Sequence, residues 1–132
     1  MNELTIILPI PPKVLHPNAV AHWGRKIKPK KQARIDAGYA ALSESVDAAF
    51  DPPRPWSHVS AHCRWFVRHH NGLRMDCDNA TAWLKAYFDG IADQGVVDND
   101  KAIEKITHEF AVDKASPRVE ITIRRETDVS SH

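Results

Sequence analysis

MDCDNATAWLKAYFDGIADQGVVDNDKAI, residues 75–103, is the stretch from which the rest of the chain is read. Asp76 and Asp78 stand two residues apart. In an extended segment alternate side chains share a face, so both carboxylates point one way and Cys77 points the other, into the core. Ala80, Trp83, Leu84, Tyr87, Phe88 and Ile91 then recur at three- and four-residue intervals, the pattern of one helix with one buried face. Asp78 or Asn79 suits the helix N-cap, because either side chain accepts from an orphan backbone amide; Asp76 is not needed for it. Lys85 follows Asp78 by seven residues. At ~100° per residue that is nearly two turns, which keeps Lys85 on the side of the helix start, with Asp89 at i+4 beside it. Gly95 ends the helix, and Asp98 and Asp100 follow the apolar pair Val96-Val97. Carboxylates at both ends of a helical hairpin, with a cation between them, suit a hard divalent ion and phosphate. Mg²⁺ takes carboxylate oxygens plus retained waters and needs only one or two protein carboxylates.

Outside this stretch the bulk numbers are those of an ordinary globular chain. The 132 residues, 42% hydrophobic and 27% charged, fit one domain with a real core. No apolar run approaches the ~18 residues of a membrane span, so no membrane association is expected. The start, MNELTIILPIPP, lacks a basic leader, and the expected compartment is the cytoplasm, that of a bacterial host if the chain is phage-encoded. Cys63 and Cys77 fit reduced core thiols better than a disulfide framework. The net charge of +1 hides an uneven distribution, with basic residues clustered in the first third and acidic ones in the second half.

In chain order, residues 3–9 are β-rich and end in proline, a strand. Residues 11–29, with Pro17, Asn18, Gly24 and Pro29, read as a loop. Its basic part and the turn after it carry Arg25, Lys26, Lys28, Lys30, Lys31 and Arg34, preceded by His22 and Trp23. Such a run is either a solvated face or a phosphate-contacting patch with an aromatic available for stacking. From about Pro29 to Ala49 a helix is predicted, with Ile35, Tyr39, Leu42, Val46 and Ala49 as its buried stripe. DPPRPW at 51–56 breaks it. Residues 57–67 alternate as a strand, with Val59, Ala61, Cys63 and Trp65 on one side. Residues 102–112 and 117–125 form two more strands, with Lys114 to Pro117 as a hairpin loop, and 127–132 is a frayed tail to a single domain of residues 1–126. The order β-α-β-α-β-β predicts an α/β (α+β) fold, a small mixed sheet with two main helices packed on it.

Other metal chemistries fit less well. The Asp76-Cys77-Asp78 run lacks the further ligands and central glycine of a calcium loop. His58, His62, Cys63, His69, His70 and Cys77 match no paired zinc spacing. His69-His70-Asn71 is too compact for a one-metal nuclease motif. Lys85 alone reads equally as a surface lysine paired with Asp89, and Trp83 and Tyr87 as core.

The sequence resembles the RusA family of Holliday-junction resolvases, endonucleases widespread in phages and prophages, over most of its length. The resemblance begins with the short strand ending in LPIPP and the loop bearing Asn18. It is strongest in Asp76-Cys77-Asp78-Asn79, Lys85-Ala86-Tyr87-Phe88-Asp89-Gly90-Ile91, and Gly95 followed by Val97-Asp98-Asn99-Asp100. It implies that Asp76, Asp78 and Asp100 bind magnesium, with manganese as a substitute, and that Lys85 aids catalysis. Two features depart from the family pattern. The lysine follows the second aspartate by seven residues where four is common, a difference of nearly one helical turn. The distal Asp-Asp pair is Asp98-Asn99-Asp100 here, which leaves Asp98 as an extra or substitute ligand.

The function implied is magnesium-dependent hydrolysis of phosphodiester bonds at four-way DNA junctions, in recombination and repair. Asp89 would orient Lys85 or support the ligands, the basic run at 25–34 would hold the DNA arms, and a two-fold homodimer would match the junction's two scissile strands. The alternatives are a non-catalytic DNA-binding module and a metal nuclease acting on flaps or single strands.

Overall fold

Proline stops the first strand: β1 (Glu3–Leu8) buries Leu4, Ile6 and Leu8 on one face and ends at Pro9. A computed structural model describes residues 2–45 and 54–126, and of Asp100 the backbone alone. Val46 and Ala49 of the expected helix, residues 51–53 of the breaker and the 127–132 tail lie outside the described residues. The remaining strands are β2 (Val59–Val67), β3 (Ile103–Val112) and β4 (Arg118–Arg125), in the sheet order β1-β4-β2-β3. β2 runs parallel to β3, and the other pairings are antiparallel, a mixed sheet as expected. The inner row Val59, Ala61, Cys63, Trp65 and Val67 is buried and faces the helices together with Val119, Ile121 and Ile123. The opposite face is polar. There Thr5 and Thr122 hydroxyls meet at 2.9 Å, Arg64 pairs with Glu109 at 2.7 Å, and the Arg118 guanidinium lies 3.9 Å from the Phe66 ring centre. Among the described residues, helices thus cover one side of the sheet.

The expected β3–β4 hairpin is not formed. β2 lies between the two strands, and the link from Asp113 to Pro117 crosses over its end. Neighbouring strands are ~4.8 Å apart, so the crossing spans ~10 Å, within reach of five linking residues at ~3.3 Å each. Asp113 fastens it: its N–H donates to the Val67 carbonyl at 2.9 Å, its Oδ1 accepts from Ser116 N–H at 3.1 Å, and its Oδ2 accepts from Arg118 at 2.9 Å. β2 gains the centre because its apolar row is the longest, and a central strand pairs both edges while burying that row.

Helix α1 (Ile27–Ser45) inverts the expectation for its face. Ile35, Tyr39 and Leu42 are 50%, 67% and 45% exposed, while Ala33, Ala37, Gly38, Ala41 and Ser45 are buried. The reason is the approach of α3 (Lys85–Asp93), which crosses α1 at Gly90. A Cβ placed at Gly90 would lie 2.1 Å from the Arg34 carbonyl oxygen and 3.0 Å from Ala37 Cβ. Backbones this close admit only small side chains, so the large apolar residues turn outward. Gly90→Ala is therefore expected to push the helices apart and lower stability by about 1–3 kcal/mol, read from denaturant unfolding. Wild-type stability in that variant would show that the crossing is slack.

The helix expected from Ala80 to Ile91 is two: α2 (Cys77–Trp83) and α3, separated at Leu84 (φ −88°, ψ 0°). No proline or glycine marks the break. Ala80, Trp83, Leu84, Tyr87, Phe88 and Ile91 are all buried as the periodicity requires. Tyr87 donates to the Pro9 carbonyl at 2.7 Å and Trp83 Nε1 to the Pro12 carbonyl at 2.9 Å, which pins the loop after β1 onto both helices. Burial pushes the Tyr87 phenol up to about 12 and keeps it a donor. Gly95, at φ +75°, turns the chain out of α3.

Candidate active site

Asp76, and not Asp78 or Asn79, caps α2. Its backbone is extended (φ −66°, ψ 135°), and its Oδ1 accepts from Asp78 N–H at 2.9 Å. Helical geometry begins at the next residue, so two-residue alternation does not apply and Cys77 is exposed, not in the core. Cys63 is the buried thiol. Asp76 and Asp78 are both exposed, and Asp78 sits in the first turn of α2, where backbone amides favour a carboxylate.

Lys85 opens α3, beyond the break at Leu84, so reckoning by ~100° per residue from Asp78 does not carry across to it. Its Nζ donates to Asp89 Oδ1 at 2.7 Å, the expected i,i+4 pair. One turn further along, Asp93 takes a two-pronged contact from Arg34 of α1, at 2.6 and 2.7 Å. That hydrogen bonding, reinforced by charge, holds Asp93 below the usual carboxylate range and Arg34 above its own. Asp89 adds to the field on Arg34, so Lys85, Asp89, Arg34 and Asp93 form one charge ladder where α1 meets α3.

The distal acidic run follows α3. Asp98 accepts from Ser57 Oγ at 2.5 Å, and its N–H donates to the Trp56 carbonyl at 3.1 Å. Asn99 Oδ1 accepts from Lys101 N–H at 2.8 Å and starts the short 3-10 turn Asp100–Ala102, which packs against α3. Asp100 is thereby located by its backbone, and its side chain lies outside the described residues. Asn99 has a local task in this run: it shapes the turn in which the Asp100 backbone lies.

Of the basic run, Arg25, Lys28, Lys30, Lys31 and Arg34 are exposed and Lys26 is half-buried. Arg34 is committed to Asp93. Lys26 and Lys30 line a cavity of about 420 Å³ together with Lys85, so the first turns of α1 and the start of α3 share one basic recess.

Compared with known proteins, the chain matches the family model of endodeoxyribonuclease RusA over residues 13–124. It belongs to the RusA family. A relative from Xylella fastidiosa (strain Temecula1 / ATCC 700964), an uncharacterized protein, is 34% identical over 139 aligned residues, covering all of this chain and 82% of its own length. RusA-family membership means a nuclease acting on Holliday junctions. The matched segment contains both acidic runs, Lys85 and the basic run.

Whether the side chains suit a family-type metal is a matter of donor chemistry. Asp76 and Asp78 offer hard carboxylate oxygens at the surface; the hydrogen bond to Asp78 N–H occupies Oδ1 of Asp76 only. This fits Mg²⁺, which completes its shell with water. Among the described residues no three His, Cys, Asp or Glu side chains stand together as a metal cluster.

One joint in this RusA-family domain has no counterpart in the sequence reading. His108 of β3 accepts from Trp65 Nε1 at its Nδ1 (3.0 Å) and lies 2.8 Å from Thr81 Oγ1 of α2 through its Nε2. With Nδ1 accepting, the neutral ring carries its proton on Nε2 and donates to Thr81. Desolvation, then the charge of nearby His62, pushes His108 below its ordinary value, consistent with a neutral ring. The joint fixes α2, and with it Asp76 and Asp78, against the sheet. Its sequence signal is a histidine within an otherwise regular strand, too weak to single out.

Proposed function

We propose that this chain is a magnesium-dependent, structure-selective endonuclease that hydrolyses phosphodiester bonds at four-way DNA junctions in recombination and repair. The observation that carries the reading is the RusA match, which spans every candidate carboxylate and both basic groups. The working unit is one nuclease domain, residues 1–126, acting as a two-fold homodimer in a bacterial cytoplasm, because a four-way junction offers two symmetric scissile strands. Among the described residues no helix is long and apolar enough to cross a membrane.

Asp76, Asp78 and Asp100 would hold Mg²⁺, or Mn²⁺ in its place, and Asp98 would support them. When bound, the cation supplies Lewis-acid stabilisation of charge on the attacking and leaving oxygens. Lys85 places a positive charge toward the phosphoryl oxygens as negative charge develops there. Asp89, 2.7 Å from its ammonium, holds the lysine in position. Arg34 braces α1 against α3 through Asp93, while Arg25, Lys26, Lys28, Lys30 and Lys31 contact DNA phosphates.

The basic run makes a separable prediction. Neutralising Lys28, Lys30 and Lys31 together should weaken junction binding and flatten its salt dependence, since each lost phosphate contact removes ~0.9 from the slope of log K against log salt. An unchanged slope would mean that this run is a solvated face. The reading as a whole is tested by cleavage rates on a panel: four-way junction, flap, single strand and linear duplex, each with Mg²⁺ and with EDTA. Preference for the junction with Mg²⁺ supports it. Binding without cutting would indicate a DNA-binding module, and preference for flaps or single strands a different nuclease.

A further inference from the structure

We propose that the recess between the start of α1 and the α2–α3 junction receives a single unstacked nucleotide of the DNA. The site is new relative to the acidic centre, and the inference rests on the nuclease reading only for the source of the nucleotide. The cavity, about 420 Å³, lies within the range of small-ligand sites. Its walls divide by chemistry. Trp23 and Ile27 give exposed aromatic and apolar surface, buried Trp83 adds a small part, and Lys26, Lys30 and Lys85 are the charged side chains of the lining, Lys85 being paired with Asp89. A flat exposed aromatic ring beside Lys26 and Lys30 selects a ligand with a flat π-face and attached negative charge. A nucleotide has both, and a bare phosphate has only the second.

Trp23 is the decisive wall. It is 71% exposed, an unusual place for the largest apolar side chain. It does not hang loose: its ring stacks on His22 at 5.8 Å and 30°, and His22 Nδ1 accepts from Gly24 N–H at 3.2 Å, which closes the short turn Trp23–Lys26. Opposite, Trp83 is fixed by its bond to the Pro12 carbonyl and by stacking on Trp65 at 5.5 Å. The recess is therefore formed before any ligand arrives. Because Lys85 belongs to both the recess and the proposed catalytic site, a base seated here lies beside the phosphate to be cut and sets the sequence preference of the cut.

The test is a titration of the full-length protein in EDTA, following tryptophan indole N–H signals by NMR. The four deoxynucleoside monophosphates are compared with inorganic phosphate. The signals of Trp23 and Trp83 should shift saturably with at least one nucleotide, while buried Trp56 stays still and phosphate has little effect. Ala82→Leu, which adds bulk to the recess wall from an exposed position, should abolish the shift without altering the thermal melt. On junction DNA, Trp23→Ala should weaken binding by ~10-fold, and the loss should vanish when the one seated nucleotide is made abasic. No response of Trp23 to any nucleotide, an equal response to phosphate, or a response that survives Ala82→Leu would overturn the proposal. The two readings fail separately. A protein that answers nucleotides but never cuts keeps the recess and loses the nuclease, and one that cuts without answering does the reverse.

Discussion

Asp76→Asn, Asp78→Asn and Asp100→Asn proteins are expected to bind junction DNA and fail to cut it, with rates down by at least ~100-fold. Each substitution removes a ligand charge while nearly keeping shape, and a cation contributes several kcal/mol to the transition state. Binding should hold or tighten, because a negative charge near the DNA phosphates has gone. Asp76 allows a sharper version, since it is also the N-cap of α2. Asparagine caps as well as aspartate, so Asp76→Asn should melt with wild type, while Asp76→Ala should lose about 1 kcal/mol as well as activity. Full activity in Asp76→Asn would remove it from the metal site and leave it as a cap alone.

Lys85→Ala should lower the single-turnover rate by about 100-fold or more, comparable with losing one oxyanion donor. Its effect on stability should be slight. The side chain is 52% exposed, and an i,i+4 pair of this kind contributes only ~0.3–0.5 kcal/mol. Lys85→Arg should rescue poorly, since a planar fork does not replace a compact ammonium held against Asp89. Junction cleavage with enzyme in excess, run beside a thermal melt, separates this from a surface lysine, whose loss would leave cutting intact.

What could be read from the sequence was mostly local. The alternation of Val59 to Val67 marked β2, the spacing of Ala80 to Ile91 marked the buried side of the hairpin, and Lys85 met Asp89 at the i,i+4 distance. What failed depended on contacts far apart in the chain. Arg34 and Asp93 are separated by 59 residues, so nothing local shows that this arginine is spent on a helix–helix brace. On α1 the spacing of Ile35, Tyr39 and Leu42 predicts a buried stripe of large side chains, whereas close approach at Gly90 demands small ones. Ala33, Ala37, Ala41 and Ser45, at four-residue steps, carry that face in the sequence. The short link before β4 resembled a hairpin because loop length alone does not tell whether a strand passes between its ends. The cap is expected at Asp78 or Asn79, and the extended backbone at Asp76 places it there instead, because helical geometry begins at Cys77, earlier than capping propensity alone shows.

The most direct measurement maps the cuts on a synthetic mobile four-way junction, with each of the four strands end-labelled in turn, in Mg²⁺. Matched incisions on two opposite strands, giving two nicked duplexes and absent with EDTA, are the result predicted. An intact junction, or cuts scattered equally over all four strands and over a linear duplex control, would contradict the assignment of this chain as a junction-selective nuclease.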